Sequence, residues 1–116
     1  MKRILITGGC GFVGATLATS FKTKYPDYHI IAFDNLKRRG SELNIPRLKA
    51  MGIEFVHGDI RNAEDFHDLP EVDLVIEAAA EPSVLAGLEG STGYLLNTNL
   101  QGTIHCLEYA RRSKAQ

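Results

Sequence analysis

Apolar residues in this chain gather into four short runs that alternate with amphipathic segments. The runs are rich in Ile, Val, Leu and Phe, which favours strands buried on both faces, as in a parallel sheet. These predicted strands cover residues 3–7, 29–33, 54–57 and 73–77. Helical spacing or short acidic turns mark the segments between and after them, at residues 14–24, 44–51, 62–69 and 92–113.

The apolar side chains of each longer helical segment share one face, which we expect to cover the sheet. The faces comprise Leu17, Ala18 and Phe21, then Ile45, Leu48 and Met51, and finally Leu96, Leu100, Ile104 and Leu107. Gly52 is typical of a helix end, and Pro46 fits a helix only in its first turn. Strand and helical segment therefore alternate four times along the chain.

This alternation predicts an α/β fold, a Rossmann-like doubly wound parallel sheet with helices on both faces. Right-handed crossovers give the strand order 3-2-1-4 and place a ligand crevice between the first and fourth strands. Four strands are somewhat more than half of a six-stranded doubly wound domain. We therefore interpret residues 1–116 as the N-terminal part of a dinucleotide-binding domain, truncated to about four strands.

A glycine-rich turn follows the first predicted strand and opens the first helix. Its glycines fit two spacings, Gly9-x-Gly11-x-x-Gly14 and Gly8-x-x-Gly11-x-x-Gly14. Such glycines permit a tight turn and a close approach of the backbone to a pyrophosphate at the helix N-terminus. The alternative is a strand-to-helix turn without a ligand. A Walker-type loop is excluded because no Gly-Lys-Ser/Thr follows.

Asp34 ends the second predicted strand, twenty residues after Gly14. That spacing is expected for the acid that accepts hydrogen bonds from the adenosine ribose, and its charge favours NAD over NADP. The alternative is a solvated acid at a strand end. Lys37, Arg38 and Arg39 form a basic loop that could tolerate a phosphate, although such a loop is more typical of a solvated surface.

These residues, with Asn35 and Leu36, resemble the extended short-chain dehydrogenase/reductase family of nucleotide-sugar epimerases and dehydratases. Residues 57–61, 75–80 and 99–103 resemble further segments of that family, so the resemblance covers essentially the whole chain. Within the family it is strongest to the CDP-tyvelose (CDP-paratose) 2-epimerases, although sugar 4-epimerases and 4,6-dehydratases share most of the segments. It implies an NAD-dependent enzyme of the isomerase class that transiently oxidises a carbon of a nucleotide sugar.

Carried over residue by residue, the resemblance implies a cofactor site. Asp59 would accept a hydrogen bond from the adenine amino group, the Ile60 backbone would meet the ring edge, and Asn99 would be a structural active-site residue. The implied cofactor-binding residues are Gly8, Gly11, Phe12, Val13, Gly14, Asp34, Asn35, Asp59, Ile60, Ala78, Ala79, Ala80 and Asn99.

Two departures from the family pattern bear on catalysis. Glu77 stands where many relatives carry His. The proton-transfer pair of the family, a Tyr followed four residues later by Lys, is missing, because the residues four beyond the tyrosines are His29, Ala32, Thr98 and Ser113. We therefore expect no catalytic residue in this chain and no epimerisation by it alone. The histidines lack metal-ligand spacing, so no metal site is expected.

The composition excludes some classes of binding partner. Thirteen basic and fourteen acidic residues give a net charge of −1, which excludes a global basic field for nucleic acid. The apolar runs are too short to cross a membrane. Cys10 and Cys106 lack disulfide-framework or metal spacing, which favours reduced thiols in the cytoplasm.

The sequence predicts self-association and leaves two functions open. Two features predict a homodimer or larger species: an edge strand at 72–77 and the helix at 99–112. Resembling family members dimerise through this helix and the one that follows it. Leu95 and Cys106 are candidate exposed positions. One function is the cofactor-binding part of an NAD-dependent nucleotide-sugar epimerase. The other is a dinucleotide-binding regulatory module without catalysis.

Overall fold

The computed structural model describes residues 2–79, 88 and 92–116. Its strands are β1 (Arg3–Thr7), β2 (His29–Asp34), β3 (Glu54–His57) and β4 (Leu74–Glu77). They form a parallel sheet in the order β3-β2-β1-β4. This arrangement confirms the predicted Rossmann-like α/β class and the predicted strand order.

Helices cover both faces of this sheet. They are α1 (Phe12–Lys24), α2 (Ile45–Ala50), α3 (Thr92–Leu96) and α4 (Gly102–Ser113), with a π-helical turn at Asn97–Gln101 between the last two. The segment predicted at 62–69 contains a 3₁₀ turn, Ala63–Phe66, and Asn62 caps it by accepting a hydrogen bond from the Glu64 N–H. None of the helices in the described residues has the length and hydropathy of a membrane span.

Alternating residues of β1 divide the core into two layers. Ile4 and Ile6 pack in the layer that contains residues of α1 and α2. Leu5 lies in the opposite layer with Phe66 and Tyr109. Phe66 stacks on Phe33 with ring centroids 5.1 Å apart and meets Tyr109 at 5.6 Å, so aromatic contacts join β2, the 3₁₀ turn and α4.

The last helical segment buries a different face from the predicted one. Its buried residues are Thr98, Gly102, Cys106, Tyr109 and Ser113. The leucines and isoleucine predicted to cover the sheet are instead 41–65% exposed, and Cys106, predicted as a candidate exposed position, is buried. Gly102 explains the orientation, because a Cβ there would stand 2.4 Å from Ile60 Cδ1. The glycine lets the helix backbone lie directly on Ile60, and a larger residue would hold it away.

The outer edge of β4 is partly paired by the last residue of the same chain. The Gln116 N–H donates to the Asp73 carbonyl at 3.1 Å, and the Val75 N–H donates to the Gln116 carbonyl at 2.8 Å. This is the hydrogen-bond pattern of parallel strands. The edge predicted to be open to another chain is therefore partly covered.

Candidate functional site

A cavity of about 610 Å³ opens at the carboxyl ends of the strands. Its walls come from the β1–α1 loop, the segments after β2, β3 and β4, and the α3 region, and its size suits a small molecule or cofactor. In an open parallel sheet this edge, where the chain reverses its strand order, is the place where ligands bind. The cavity therefore lies where the sequence predicted a ligand crevice.

Most of the predicted cofactor residues line this cavity. Those in its wall are Gly8, Gly11, Phe12, Val13, Gly14, Asp34, Asn35, Asp59, Ile60, Ala78 and Ala79. Asn99 is exposed and is not among the described residues of the wall, and Ala80 lies outside the described residues. The structure thus brings eleven of the thirteen together, while their part in binding stays a prediction.

The three glycines of the second predicted spacing, Gly8, Gly11 and Gly14, line the cavity. Gly8 adopts a φ of +66°, and its carbonyl accepts a hydrogen bond from the Gly11 N–H at 3.0 Å. A Cβ at Gly14 would lie 2.0 Å from the Gly8 carbonyl oxygen, which no side chain can accommodate. Gly9 instead packs on Ala32 beneath the loop. Gly8, Gly11 and Gly14 therefore let the start of α1 close over the end of β1.

Helix α1 begins at the wall of the cavity. Gly11 is its N-cap and supplies no side-chain cap, and the first turn contains no acidic residue. The first N–H groups of a helix have no partner within the helix and carry a partial positive charge. The loop and the helix start together form a site suited to an anion such as a pyrophosphate.

Asp34 connects the end of β2 to the glycine loop. Its Oδ2 accepts a hydrogen bond from the Cys10 N–H at 3.0 Å, and its Oδ1 accepts one from the Leu36 N–H at 2.8 Å. Leu36 has a φ of +59°, which is strained for a branched residue. Each carboxylate oxygen keeps a further lone pair for a hydroxyl donor.

Cys10, whose N–H makes this contact, is buried. Burial, reinforced by the Asp34 carboxylate, raises the pKa of the Cys10 thiol to about 11. A thiol with such a pKa remains protonated at neutral pH, and the thiolate is the nucleophilic form. Cys10 thus acts as a small packing residue.

Asp59 is held by neighbours from two loops. Arg61 donates from Nη2 to Oδ2 at 2.6 Å and from Nε to Oδ1 at 3.0 Å, and Asn35 Nδ2 donates to Oδ2 at 3.2 Å. The hydrogen bonds from Arg61 lower the pKa of Asp59 to about 2. These donors occupy most of the acceptor sites of the carboxylate. A further donor would therefore compete with Arg61 and Asn35 for this carboxylate.

Thr98 is a wall residue that sequence reasoning missed. Thr98 is 8% exposed and lines the cavity, and its Oγ1 has no hydrogen-bond partner among the described residues. It lies in the π-helical turn Asn97–Gln101, a distortion that is frequent at functional sites. An unpaired buried hydroxyl is costly and suits a polar ligand. Its position immediately before Asn99 was the available signal.

Glu77 faces the last helix. Its Oε1 accepts a hydrogen bond from the Thr103 hydroxyl at 2.7 Å, which joins β4 to α4. Burial, together with the charge of Glu77, raises the pKa of the Cys106 thiol to about 12. Glu77 thus makes a hydrogen bond that links the end of the sheet to α4.

Comparison with known proteins defines the family. The model of the NAD dependent epimerase/dehydratase family matches residues 4–116. The chain is 36% identical over 114 residues to a CDP-paratose 2-epimerase of Salmonella typhi, covering 95% of this chain and 33% of that protein. It is 35% identical over 111 residues to a dTDP-glucose 4,6-dehydratase of Mycobacterium tuberculosis, with the same coverage. The chain thus spans about a third of the length of these relatives.

Solved structures agree with this match. A dTDP-glucose 4,6-dehydratase from Streptomyces venezuelae with NAD bound superposes with a TM-score of 0.82 at 34% identity, covering 97% of this chain and 37% of that chain. An ADP-L-glycero-D-manno-heptose-6-epimerase from Helicobacter pylori gives 0.81 at 30% identity, covering 99% and 37%. Sequence, topology and cavity position therefore agree, and the chain belongs to the NAD dependent epimerase/dehydratase family.

Proposed function

We propose that this chain binds NAD as the N-terminal, cofactor-binding part of a nucleotide-sugar epimerase similar to the CDP-tyvelose 2-epimerases. The observation that carries the proposal is the cavity in which the glycine loop, Asp34 and the unpaired Thr98 hydroxyl converge. The family match over residues 4–116 supports it. So does the NAD bound to a dehydratase of the same fold at 34% identity.

The polar groups of the cavity fit the parts of a dinucleotide. The start of α1, with the Gly8 loop, would hold the pyrophosphate, and Asp34 would accept hydrogen bonds from the adenosine ribose. The Thr98 hydroxyl would gain the partner that it lacks within the described residues. When bound, NAD supplies a hydride acceptor for oxidation of a sugar carbon.

The chain lacks the Tyr–Lys pair that the family uses for proton transfer. Oxidation of a sugar hydroxyl requires a base for its proton, and the family uses a Tyr four residues before a Lys. No Tyr of this chain has Lys at that spacing. We therefore infer that the 116-residue chain binds cofactor without epimerising a sugar, so its contribution is to bind and orient NAD.

Two related activities compete with 2-epimerisation. The 35% identity to a dTDP-glucose 4,6-dehydratase supports 4,6-dehydration nearly as strongly as the 36% identity to a CDP-paratose 2-epimerase supports 2-epimerisation. The 4-epimerases share the same motifs. A third reading, a dinucleotide-binding regulatory module, follows from the missing catalytic pair. Because the 116-residue chain is inferred not to convert a sugar by itself, the test uses the full-length enzyme of which it is proposed to be a part. Product analysis after incubating that enzyme with CDP-, UDP- and dTDP-sugars separates these functions.

We also propose that the chain forms a homodimer through the last helical segment. Leu96, Leu100, Ile104 and Leu107, here called the apolar stripe, are exposed by 55%, 53%, 41% and 65% on the side away from the sheet. Four such side chains at helical spacing form an apolar patch of the kind that marks an interaction surface. The two free, buried cysteines suit a cytoplasmic location.

The proposed cofactor is tested by calorimetric titration of NAD into the chain and into Asp34→Ala. Loss of hydrogen bonds to a charged acceptor should weaken binding by about 1.5–3 kcal/mol, roughly 10- to 150-fold. Asp27→Ala removes an exposed acid in the turn before β2 and serves as the matched control. Equal affinity of Asp34→Ala and the parent chain removes Asp34 from the site, and a preference for NADP contradicts the choice of cofactor.

A further inference from the structure

Tyr94 lines the cavity and contacts one cation from each of two loops. The Lys37 Nζ lies 3.2 Å from the centroid of its ring, and the Arg61 Cζ lies 5.3 Å from the same centroid. Lys37 belongs to the segment after β2, Arg61 to the segment after β3, and Tyr94 to α3. Both distances are within the range of cation–π attraction.

Each of these two cationic residues also makes a hydrogen bond to a neighbouring side chain. The Lys37 N–H donates to Asn35 Oδ1 at 2.9 Å, which fixes the start of its side chain. The Arg61 guanidinium is fixed by its paired hydrogen bonds to Asp59. Asp59, Arg61, Tyr94 and Lys37 thus form one continuous set of contacts, of which Asp59, Tyr94 and Lys37 line the cavity.

The position of the Lys37 ammonium contributes, with Arg38, to the charge that a ligand meets beside Asp34. Lys37 follows Asp34 by three residues, and both line the cavity. A ribose 2′-phosphate adds a charge of roughly −1.5 to −2, which the Asp34 carboxylate repels. A lysine on a flexible stem could offset that repulsion if its ammonium were free to turn toward the phosphate.

We propose that Tyr94 is a specificity-determining residue that holds the Lys37 ammonium on its ring and away from the ribose site at Asp34. A 2′-phosphate then meets Asp34 without compensation from Lys37, and the site prefers NAD to NADP. This inference rests on the proposed function. Tyr94 acts through Lys37, so it is a positioning residue, and no contact of its own with the cofactor is required.

The test measures Kd for NAD and for NADP by calorimetry on the full chain. Tyr94→Leu removes the ring while keeping an apolar side chain. Because Lys37 is exposed, this substitution should lower the ratio Kd(NADP)/Kd(NAD) by about two- to fivefold, the range of a cation–π contact at an exposed site. Tyr94→Phe keeps the ring face and should retain the parental ratio. Arg38, which lines the same cavity, is present in every variant and gives a common background.

A second variant isolates the role of Lys37. In a Lys37→Met background no ammonium is left to release, so adding Tyr94→Leu should leave the ratio unchanged. An unchanged ratio in Tyr94→Leu alone, or an equal fall in the Lys37→Met background, overturns the inference while NAD binding stands. A fall in Tyr94→Phe equal to that in Tyr94→Leu also overturns it. Absence of NAD binding by the parent chain overturns both this inference and the proposed function.

Discussion

The Asp34 carboxylate accepts a hydrogen bond from the backbone N–H of Cys10, at 3.0 Å, across 24 residues of sequence. Its other oxygen accepts from the Leu36 N–H. The acid proposed to recognise the ribose therefore also holds the glycine loop against the end of β2. The proposed binding and the local structure involve the same side chain, so the two must be measured separately.

Asp34→Ala should lower the free energy of unfolding by about 1–3 kcal/mol, because it leaves the N–H of the buried Cys10 without its acceptor. Asp34→Asn keeps one side-chain oxygen and should lose less. Urea denaturation measures both, with Asp27→Ala as the control. Equal stability of Asp34→Ala and the parent chain would show that the N–H is satisfied in another way.

Gly102→Ala should destabilise the chain although alanine favours helix. A Cβ at this position would stand 2.4 Å from Ile60 Cδ1 and 2.7 Å from Cγ1, so Ile60 or α4 must move. Overpacking of this kind costs about 1–3 kcal/mol, against a gain of up to about 1 kcal/mol from helix propensity.

Ile60→Val supplies the control for that contact. It removes Cδ1, so Gly102→Ala should cost less in the Ile60→Val background than in the parent chain. A double-mutant cycle by urea denaturation measures the difference. If the changes in the free energy of unfolding of the two substitutions simply add, the destabilisation by Gly102→Ala does not arise from its contact with Ile60.

Acid should weaken the Asp59–Arg61 pair. Hydrogen bonds from Arg61 hold the Asp59 pKa at about 2, below its ordinary 3.8. Because the unfolded chain takes up the proton at higher pH, the pair stabilises the fold above about pH 4 and loses its contribution as the pH falls toward 2. The pair lies partly in solvent, which limits the contribution to about 1 kcal/mol.

Carbon NMR of the Asp59 carboxyl checks this prediction directly. Arg61→Met keeps the aliphatic stem and removes the guanidinium, so the pKa of Asp59 should rise toward its ordinary value. An unchanged titration midpoint in Arg61→Met would assign the low pKa to Asn35 or to the backbone instead.

The apolar stripe should govern association. Leu100→Lys combined with Leu107→Lys places charges in the middle and at the end of the stripe and should shift light-scattering mass toward the monomer. Both side chains are exposed, so stability should change by no more than about 0.5 kcal/mol each. Leu43→Lys, at a 77% exposed leucine outside the stripe, is the matched control. A monomeric parent chain at high concentration would contradict the proposed dimer.

Strand order and cavity position could be predicted because they follow from local signals. Buried apolar runs, helical crossovers and glycine spacing identify strands and the β1–α1 turn without knowledge of tertiary contacts. The buried face of the last helical segment could not be predicted from such local signals. Its apolar stripe suggested one orientation, while the small residue Gly102 and the ring of Tyr109 produced another through packing on Ile60 and Phe66.

The same rotation explains why Thr98 was missed. The helix turns Thr98 toward the cavity and leaves the adjacent Asn99 exposed. A family motif identifies a segment, but the orientation of its residues depends on contacts made one and two turns later. The Lys37–Tyr94 contact joins residues 57 positions apart and has no sequence signal.

Gln116 pairs with the edge of β4, so a strand from a second molecule would compete with Gln116 for the same backbone groups. A second molecule that adds a strand at this edge must first displace Gln116 from Asp73 and Val75. The intramolecular contact benefits from a high effective concentration, of the order of millimolar for a short tether, whereas the intermolecular one depends on the amount of protein in solution. Self-association by this route should therefore set in only near such concentrations, and it should be reversed by simple dilution.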